Sequence, residues 1–590
     1  MALHCLLPSS PSSFKSFSPR HLVPTRTVYS ARRVQFLASA GIQHSEVPRR
    51  SANFKPTIWD NDYLQSLKSD YLGETYLRRS EGLKDYVRHR LDASAEPLSV
   101  LELIDTLQRL GVGYHFENEI KGALNTIISM KDTNMLVEDD LYVTALNFRL
   151  FRQHGYEVSQ DVFKSFKDKK DGGFKAYISE DIKGMLSMYE ASYYAVEGED
   201  LLNEAQEFTT RHLKELIKGN IYIDPHLVKQ VNHALELPLH WRFSWLEARW
   251  FIDTYKMKID TDPLLLELAK LDFNMVQATH QQELKDVSRW WNSLGLGKTL
   301  SFARDRLVEN FYWAAGFIFE PKYGYCRKSI TKLICLITPI DDVYDVYGSL
   351  DELKLFTDAV ERWDINTVQD LPDYMKICFL ALYNTTNEMA YDVLREHGQD
   401  IIQYLKKVWT DLCKAYLAEA TWYYNGYTPT LEEYINNALI SVSGPLIQVH
   451  AYFLLGGKIT KEAIEYLMGY QNLIRWSSVT FRLADDLGTA TDEIKRGDVP
   501  KSIQCYMHES GVSEEIAREH INHLIAEMWK KMNKDMVSSH FPLHFTSLGV
   551  NTARTAQCFY LYGDGYGIPD RETKEQVLSM WIEPIPLMEG

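Results

Sequence analysis

Leu101-Glu102-Leu103-Ile104-Asp105-Thr106-Leu107-Gln108-Arg109-Leu110, followed at once by Gly111-Val112-Gly113, carries the pattern on which the fold turns. Its apolar residues recur at intervals of three and four, the period of one face of an α-helix, and the glycines end the run. Working outward, the same period returns at Leu64, Leu67, Tyr71 and Leu72 and in almost every window after Ile58. Gly172-Gly173, Pro225, Pro238, Pro263, Pro429 and Pro445 punctuate these segments. No alternating run is long enough for a sheet, so the expected fold class is all-α. Nothing recurs at a period of about 20–50 residues with fixed signature positions, which leaves a regular solenoid unsupported.

The chain has 590 residues, 45% hydrophobic and 24% charged, the make-up of a packed globular protein. A single core rarely extends past roughly 250–300 residues, so more than one domain or a large helical array is expected. The polar break Asp260-Thr261-Asp262-Pro263 divides the helical body, and we place a boundary there, between 49–262 and 263–590. Residues 1–48 are different: nine Ser, five Lys or Arg and a single acid, Glu46. That is the chemistry of a transit peptide, here a plastid address, and Pro8 and Pro11 break the short apolar start that a secretory signal would need.

Lys and Arg number 64 against 80 Asp and Glu, a formal net charge of −16 that becomes −20 once residues 1–48 are set aside. A field of that sign repels nucleic acid and anionic membrane surfaces, so neither is an expected partner. The densest apolar runs, such as Leu333–Ile340, reach less than half of the ~20 residues of a membrane helix. Seven cysteines (5, 326, 335, 378, 413, 505 and 558) form no C-x-x-C and no His/Cys cluster. We read them as reduced thiols packed as small hydrophobes in a reducing compartment.

Chemistry is concentrated in two acidic windows. In Leu336-Ile-Thr-Pro-Ile-Asp-Asp-Val-Tyr-Asp-Val-Tyr347 three acids follow an apolar run. Asp341 and Asp345 are i,i+4, on one helical face about 6 Å apart, a spacing that suits a hard divalent cation and equally suits a solvated helix end. About 140 residues later, in Arg482-Leu-Ala-Asp-Asp-Leu-Gly-Thr-Ala-Thr-Asp-Glu493, the residues Asp485, Thr489 and Glu493 step along one face. Oxygen donors without His or Cys select magnesium or manganese over zinc. Arg482 beside Asp485 is either a surface ion pair or, with a metal, one half of a site for a polyanion such as diphosphate. Arg304, in Arg304-Asp-Arg306, and Lys501 add positive charge of the right kind. Phe311–Phe317, with Trp313, and Phe559–Tyr566, with Tyr560 and Tyr566, bring rings that either pack a core or face a cavity, where ring faces stabilise a carbocation.

Taken together these residues resemble the plant terpene synthases, and among them the angiosperm monoterpene synthases. The likeness covers essentially all of 49–590. It rests on Arg49-Arg50 with Trp59, on Arg304-x-Arg306, on Asp341-Asp-Val-Tyr-Asp345 and on Asp485-Asp-Leu-Gly-Thr489-x-x-x-Glu493. The resemblance implies a C-terminal class I α-bundle behind an N-terminal helical relic domain, with Arg49, Arg50 and Trp59 folding the N-terminal strand across the active-site mouth. It implies a small-molecule substrate, geranyl diphosphate, and about three magnesium ions, or manganese, at Asp341, Asp345, Asp485, Thr489 and Glu493. Arg304, Arg482 and Lys501 would take up the diphosphate with Asp341, Asp345 and Asp485. Trp313, Tyr560 and Tyr566 would line the pocket, Tyr566 standing where relatives often carry histidine.

Class II cyclisation is rejected, because Val137-Glu-Asp-Asp140 has valine where that chemistry needs its first aspartate. The expectation is a monomeric enzyme making monoterpenes of the cyclic α-terpineol or limonene type. Within the class, the alternatives are an acyclic product (myrcene, ocimene, linalool or geraniol) or a fifteen-carbon substrate. Outside it, the rival is a helical interaction protein with solvated acidic faces.

Overall fold

The structure, a computed structural model, describes residues 49–93, 96–131, 140–170, 172–219, 224–457, 459–496, 499–539, 541–566 and 571–587. Residues 1–48, read above as a transit peptide, and 137–139, the start of the window examined for class II chemistry, lie outside the described residues. Asp140 is described, and its carboxylate caps the helix Leu141–Gln153 by accepting from the Val143 amide at 3.0 Å. Among the described residues the fold is all-α, as expected; one isolated antiparallel bridge, Lys167 to Phe174, is the departure.

The stretch that opened the reading forms the helix Pro97–Arg109, with Leu101, Leu103, Ile104 and Leu107 on its buried face and Pro97 in its first turn. Gly111 ends it at φ 75°, and a Cβ there would stand 2.6 Å from the Ala248 side chain. Both the left-handed backbone and the close packing against the helix Ser244–Tyr255 demand glycine.

The polar break at 260–263 is the start of the longest helix, Pro263–Leu294. Asp262 caps it, accepting from the Leu264 and Leu265 amides at 2.9 and 3.2 Å. The same carboxylate takes the Tyr86 hydroxyl at 2.9 Å and pairs with Arg90, so the helix Glu74–Ala93 is fastened to the cap. A buried polar stripe along the long helix holds the C-terminal segment: Asn274, Gln277 and Gln281 donate to the carbonyls of Ile585, Met580 and Trp581 at 2.8, 3.0 and 2.7 Å. One hydrophobic core, from Trp59 to Ile585, runs across the break, and residues 49–590 form one compact unit.

Six cysteines, Cys326, Cys335, Cys378, Cys413, Cys505 and Cys558, are buried free thiols. No helix among the described residues is long and apolar enough to cross a membrane.

Candidate active site

Two helices carry the acidic windows to one cavity. The first, Gly324–Asp342, contains Pro339, which has no N–H to give the preceding turn, and it passes into a π-helical turn at Val343–Tyr347. Asp341 lies in the last turn of the α-helix and Asp345 on the wider π-helical turn that follows. Both line the cavity. Arg304 meets this wall: its Nη2 donates to Asp341 Oδ2 at 2.6 Å, its Nε to Asp342 Oδ1 at 2.9 Å and its backbone amide to Asp342 Oδ2 at 2.7 Å. Burial opposes the charge on Arg304, but Asp342 and Asp341 outweigh it and hold the guanidinium well above its ordinary pKa. Burial pushes the Asp342 carboxyl up, against the pull of Arg304.

The second helix, Leu473–Arg496, supplies Arg482, Asp485 and Thr489. Arg482 contacts Asp485 Oδ2 at 3.2 Å and Asp486 Oδ1 at 3.4 Å. Asp486 is fully buried, accepting from the Tyr434 hydroxyl at 2.9 and 3.0 Å and from the Ser502 amide at 3.1 Å. It thereby ties Lys501, which precedes Ser502 and also lines the cavity, to the same helix. Burial, resisted by Arg482, pushes the Asp485 carboxyl up to about 6, and the Tyr560 hydroxyl bonds to that carboxyl. Gly488 makes room for this: a Cβ there would lie 3.0 Å from the Tyr560 Cβ and 3.2 Å from its carbonyl oxygen. Glu493 is on the last turns of the same helix, and its side chain lies outside the described residues.

The space between atoms in the cavity, open solvent at its mouth included, is about 1160 Å³. Away from the charges its wall is apolar. Trp313 stacks on Phe481 with centroids 4.6 Å apart and lies 5.8 Å from Tyr560; Phe317, Ile334, Ile337 and Ile447 complete that end. Tyr566 reaches the cavity with its hydroxyl donating to Asn310 Oδ1 and in hydrogen-bond contact with Thr338. Burial pushes its phenol up, so it is a neutral hydroxyl.

At the mouth lies an irregular strap, residues 49–59. Arg49 forks onto Glu352 at 2.5 and 2.8 Å and donates to the Tyr347 carbonyl at 3.1 Å. Arg50 donates to the Asp345 carbonyl at 3.0 Å and lies 4.1 Å from the Tyr423 ring centroid. Trp59 is buried and gives its indole N–H to Glu309 at 3.1 Å. None of the three lines the cavity; the strap residues that do are Ala52 and Phe54.

The donor set suits a hard divalent cation. Among the described residues no three His, Cys, Asp or Glu side chains converge to enclose an ion by themselves. The oxygens come as two open sets, which leaves coordination positions for a bound anion or water. Thr489 Oγ1 is buried and makes no hydrogen bond, as an oxygen kept for a metal would be, and the buried Arg482 Nε likewise points to a missing anionic acceptor.

Several cavity residues escaped the sequence reading. Asp342, which lines the cavity, had a signal, since it is the second of an Asp-Asp pair and so turns roughly 100° from its neighbour; Asp486 turns the same way from Asp485 and is buried behind the cavity wall. Phe54, Phe481, Glu419 and Asp564 also line the cavity, and nothing in their local sequence marks them.

The comparisons agree with this geometry. Residues 58–235 match the terpene synthase N-terminal domain, and residues 292–531 the metal binding domain of the terpene synthase family. The (-)-alpha-terpineol synthase of Vitis vinifera is 60% identical over 542 residues, covering 92% of this chain and 91% of its own. The chloroplastic myrcene synthase of Quercus ilex is 57% identical over 566 residues, covering 95% and 94%. The crystal structure of isoprene synthase from grey poplar, in complex with three Mg2+ ions and dimethylallyl-S-thiolodiphosphate, superposes with a TM-score of 0.84 at 50% identity, over 90% of this chain and all of that one. The chain belongs to the terpene synthase family, as an enzyme among the plant monoterpene synthases.

Proposed function

We propose that the protein ionises geranyl diphosphate with magnesium and converts the resulting cation to monoterpenes, chiefly cyclic ones of the α-terpineol and limonene type, acting as a monomer. The observation that carries this reading is the single cavity in which Asp341 and Asp345 meet Asp485 and Thr489, with Arg304, Arg482 and Lys501 among them and an aromatic end beyond. Asp341, Asp345, Asp485 and Thr489, with Glu493, would hold about three magnesium ions or manganese. When bound, the metal is a Lewis acid toward the leaving diphosphate. Arg304, Arg482 and Lys501 take up the negative charge that develops as the carbon–oxygen bond breaks.

The geranyl chain then lies toward Trp313, Phe481 and Tyr560, whose ring faces stabilise the cation while the apolar wall excludes water. Rebinding of diphosphate at the tertiary carbon gives a linalyl intermediate able to close a six-membered ring. Loss of a proton from carbon ends the sequence as an olefin, and capture of water ends it as an alcohol once the captured water gives up one of its own protons. With Tyr566 a neutral phenol, we assign the terminating base to the departed diphosphate. The relative named myrcene synthase favours a second reading, an acyclic olefin, in which proton loss precedes ring closure.

The 262/263 division is proposed as that between a supporting and a catalytic part, in keeping with the two domain matches on either side of it. Residues 1–48 are proposed as a plastid address, in keeping with the chloroplastic relative and the serine-rich, acid-poor composition.

The test is to incubate a chain beginning at Arg49 with geranyl or farnesyl diphosphate and to identify the volatiles by gas chromatography and mass spectrometry. Cyclic ten-carbon products from geranyl diphosphate, with little turnover of farnesyl diphosphate, are expected. Fifteen-carbon products as the main output would overturn the substrate assignment.

A further inference from the structure

Arg304 and Arg306 leave one short loop, and each touches the same two segments. The Arg304 guanidinium lies 5.0 Å from the ring centroid of Phe54 in the strap and 5.4 Å from that of Tyr566 in the C-terminal loop. The Arg306 guanidinium donates to the Lys55 carbonyl of the strap at 3.0 Å, to the Tyr566 carbonyl at 2.7 Å and to the Asp305 carbonyl at 2.9 Å. Their surroundings then diverge. Arg304 lines the cavity, whereas Arg306 is 1% exposed and is not among the described lining residues.

Three residues on, Glu309 accepts the Trp59 indole N–H, a second hold on the strap from the first turn of the helix Leu307–Phe317. Residues 49–59 have no helix or sheet to fix them. Asn53, at φ 52°, turns the backbone just before Phe54 enters the cavity. A strap of this kind is held only by what its carbonyls and side chains meet, and a buried guanidinium bonded to both segments sets the distance between them.

We propose that Arg306 is a positioning residue that ties the strap to the 560–566 loop, so that the two close the cavity as one piece, and that it does not bind the diphosphate. The inference rests on the reading of the cavity given above for its consequence. With the tie intact, Phe54 from one side and Tyr560 and Tyr566 from the other keep water from the cation. Arg304 alone of the pair turns its charge to the leaving group.

Hydrogen–deuterium exchange on the full chain tests the tie without turnover. In Arg306→Gln, peptides covering 49–59 and 560–566 should both exchange at least about threefold faster. Inorganic diphosphate with magnesium should bind within about twofold of wild type, and water-captured products should gain at the expense of olefins. Phe54→Ala, which removes the strap's ring and its contact with Arg304 but leaves the Arg306 side chain in place, should also speed exchange in 560–566. Unchanged exchange in 560–566 in Phe54→Ala would overturn the proposal. So would a tenfold or greater loss of diphosphate affinity in Arg306→Gln with both segments exchanging as in wild type, which would make Arg306 a ligand. If wild-type protein neither binds magnesium diphosphate nor consumes geranyl diphosphate, the reading of the cavity fails, while the exchange data still decide the tie.

Discussion

Asp341 and Asp342 are neighbours with different tasks. Asp342 is buried and holds the Arg304 backbone and Nε, while Asp341 is partly exposed on the cavity side with one contact to Arg304. Asp341→Ala should therefore leave folding almost untouched and cut turnover at least ~10²-fold, the scale of losing part of a Lewis-acid site; thermal melts and steady-state rates check both halves. At Tyr566 the hydroxyl bonds to Asn310, itself buried. Tyr566→Phe strands that amide oxygen and should lower stability by about 1–3 kcal/mol, yet shift the ratio of olefin to alcohol without abolishing turnover. Complete inactivity of the folded variant would show the hydroxyl to be directly catalytic.

His240 is a third case, remote from the cavity. Its Nδ1 accepts from Arg554 at 3.2 Å, so its Nε2 carries the proton given to Asn533 at 2.7 Å. Burial first and Arg554 second hold its pKa well below the ordinary value. An imidazole kept neutral in the fold and titrating near ~6.5 when unfolded contributes stability that is present above that pH and lost as the pH falls below it. His240→Asn should melt below wild type at neutral pH, and the gap should narrow in acid; a gap that widens would contradict the neutral assignment.

Among the elements, the helix Leu473–Arg496 depends on one glycine for its seat. A methyl group at Gly488 would press on the Tyr560 side chain and backbone, and overpacking of this kind costs typically about 1–3 kcal/mol. Gly488→Ala should lower the thermal midpoint accordingly and reduce the share of cyclic product, because Tyr560 must shift by a few tenths of an ångström and strain its bond to Asp485. Product analysis of the variant beside wild type checks it. The period of three and four made these helices legible, and it placed both acidic windows on them. It could not show the π-turn at Val343–Tyr347, since an added residue per turn leaves no trace in a pattern of apolar spacing. The strap was legible through Arg49, Arg50 and Trp59. The residue that enters the cavity, Phe54, was not, because an irregular segment has no period from which a facing side can be deduced.

Over the whole molecule, the break at Asp260–Pro263 was visible as a polar interruption. Its physical content is a cap: Asp262 starts the longest helix while the hydrophobic core passes beneath. Sequence spacing gave the acids and basic residues of the site because metal-binding and anion-binding chemistry restricts residue type. It gave few of the apolar wall residues, since Phe481, Ile334 and Ile447 come together only through packing between helices distant in the chain. On the proposed reading the long acidic body reduces, for function, to one cavity whose two acidic sets act on one leaving group.

That claim is tested most directly by magnesium-dependent release of inorganic diphosphate from geranyl diphosphate, measured for a chain beginning at Arg49 and for its Asp341→Ala and Asp485→Ala variants. Release should be rapid with magnesium, vanish with a chelator, and slow at least ~10²-fold in each variant. Release that persists without a divalent cation, or that proceeds at the wild-type rate in both variants, would contradict the two-set ionisation site.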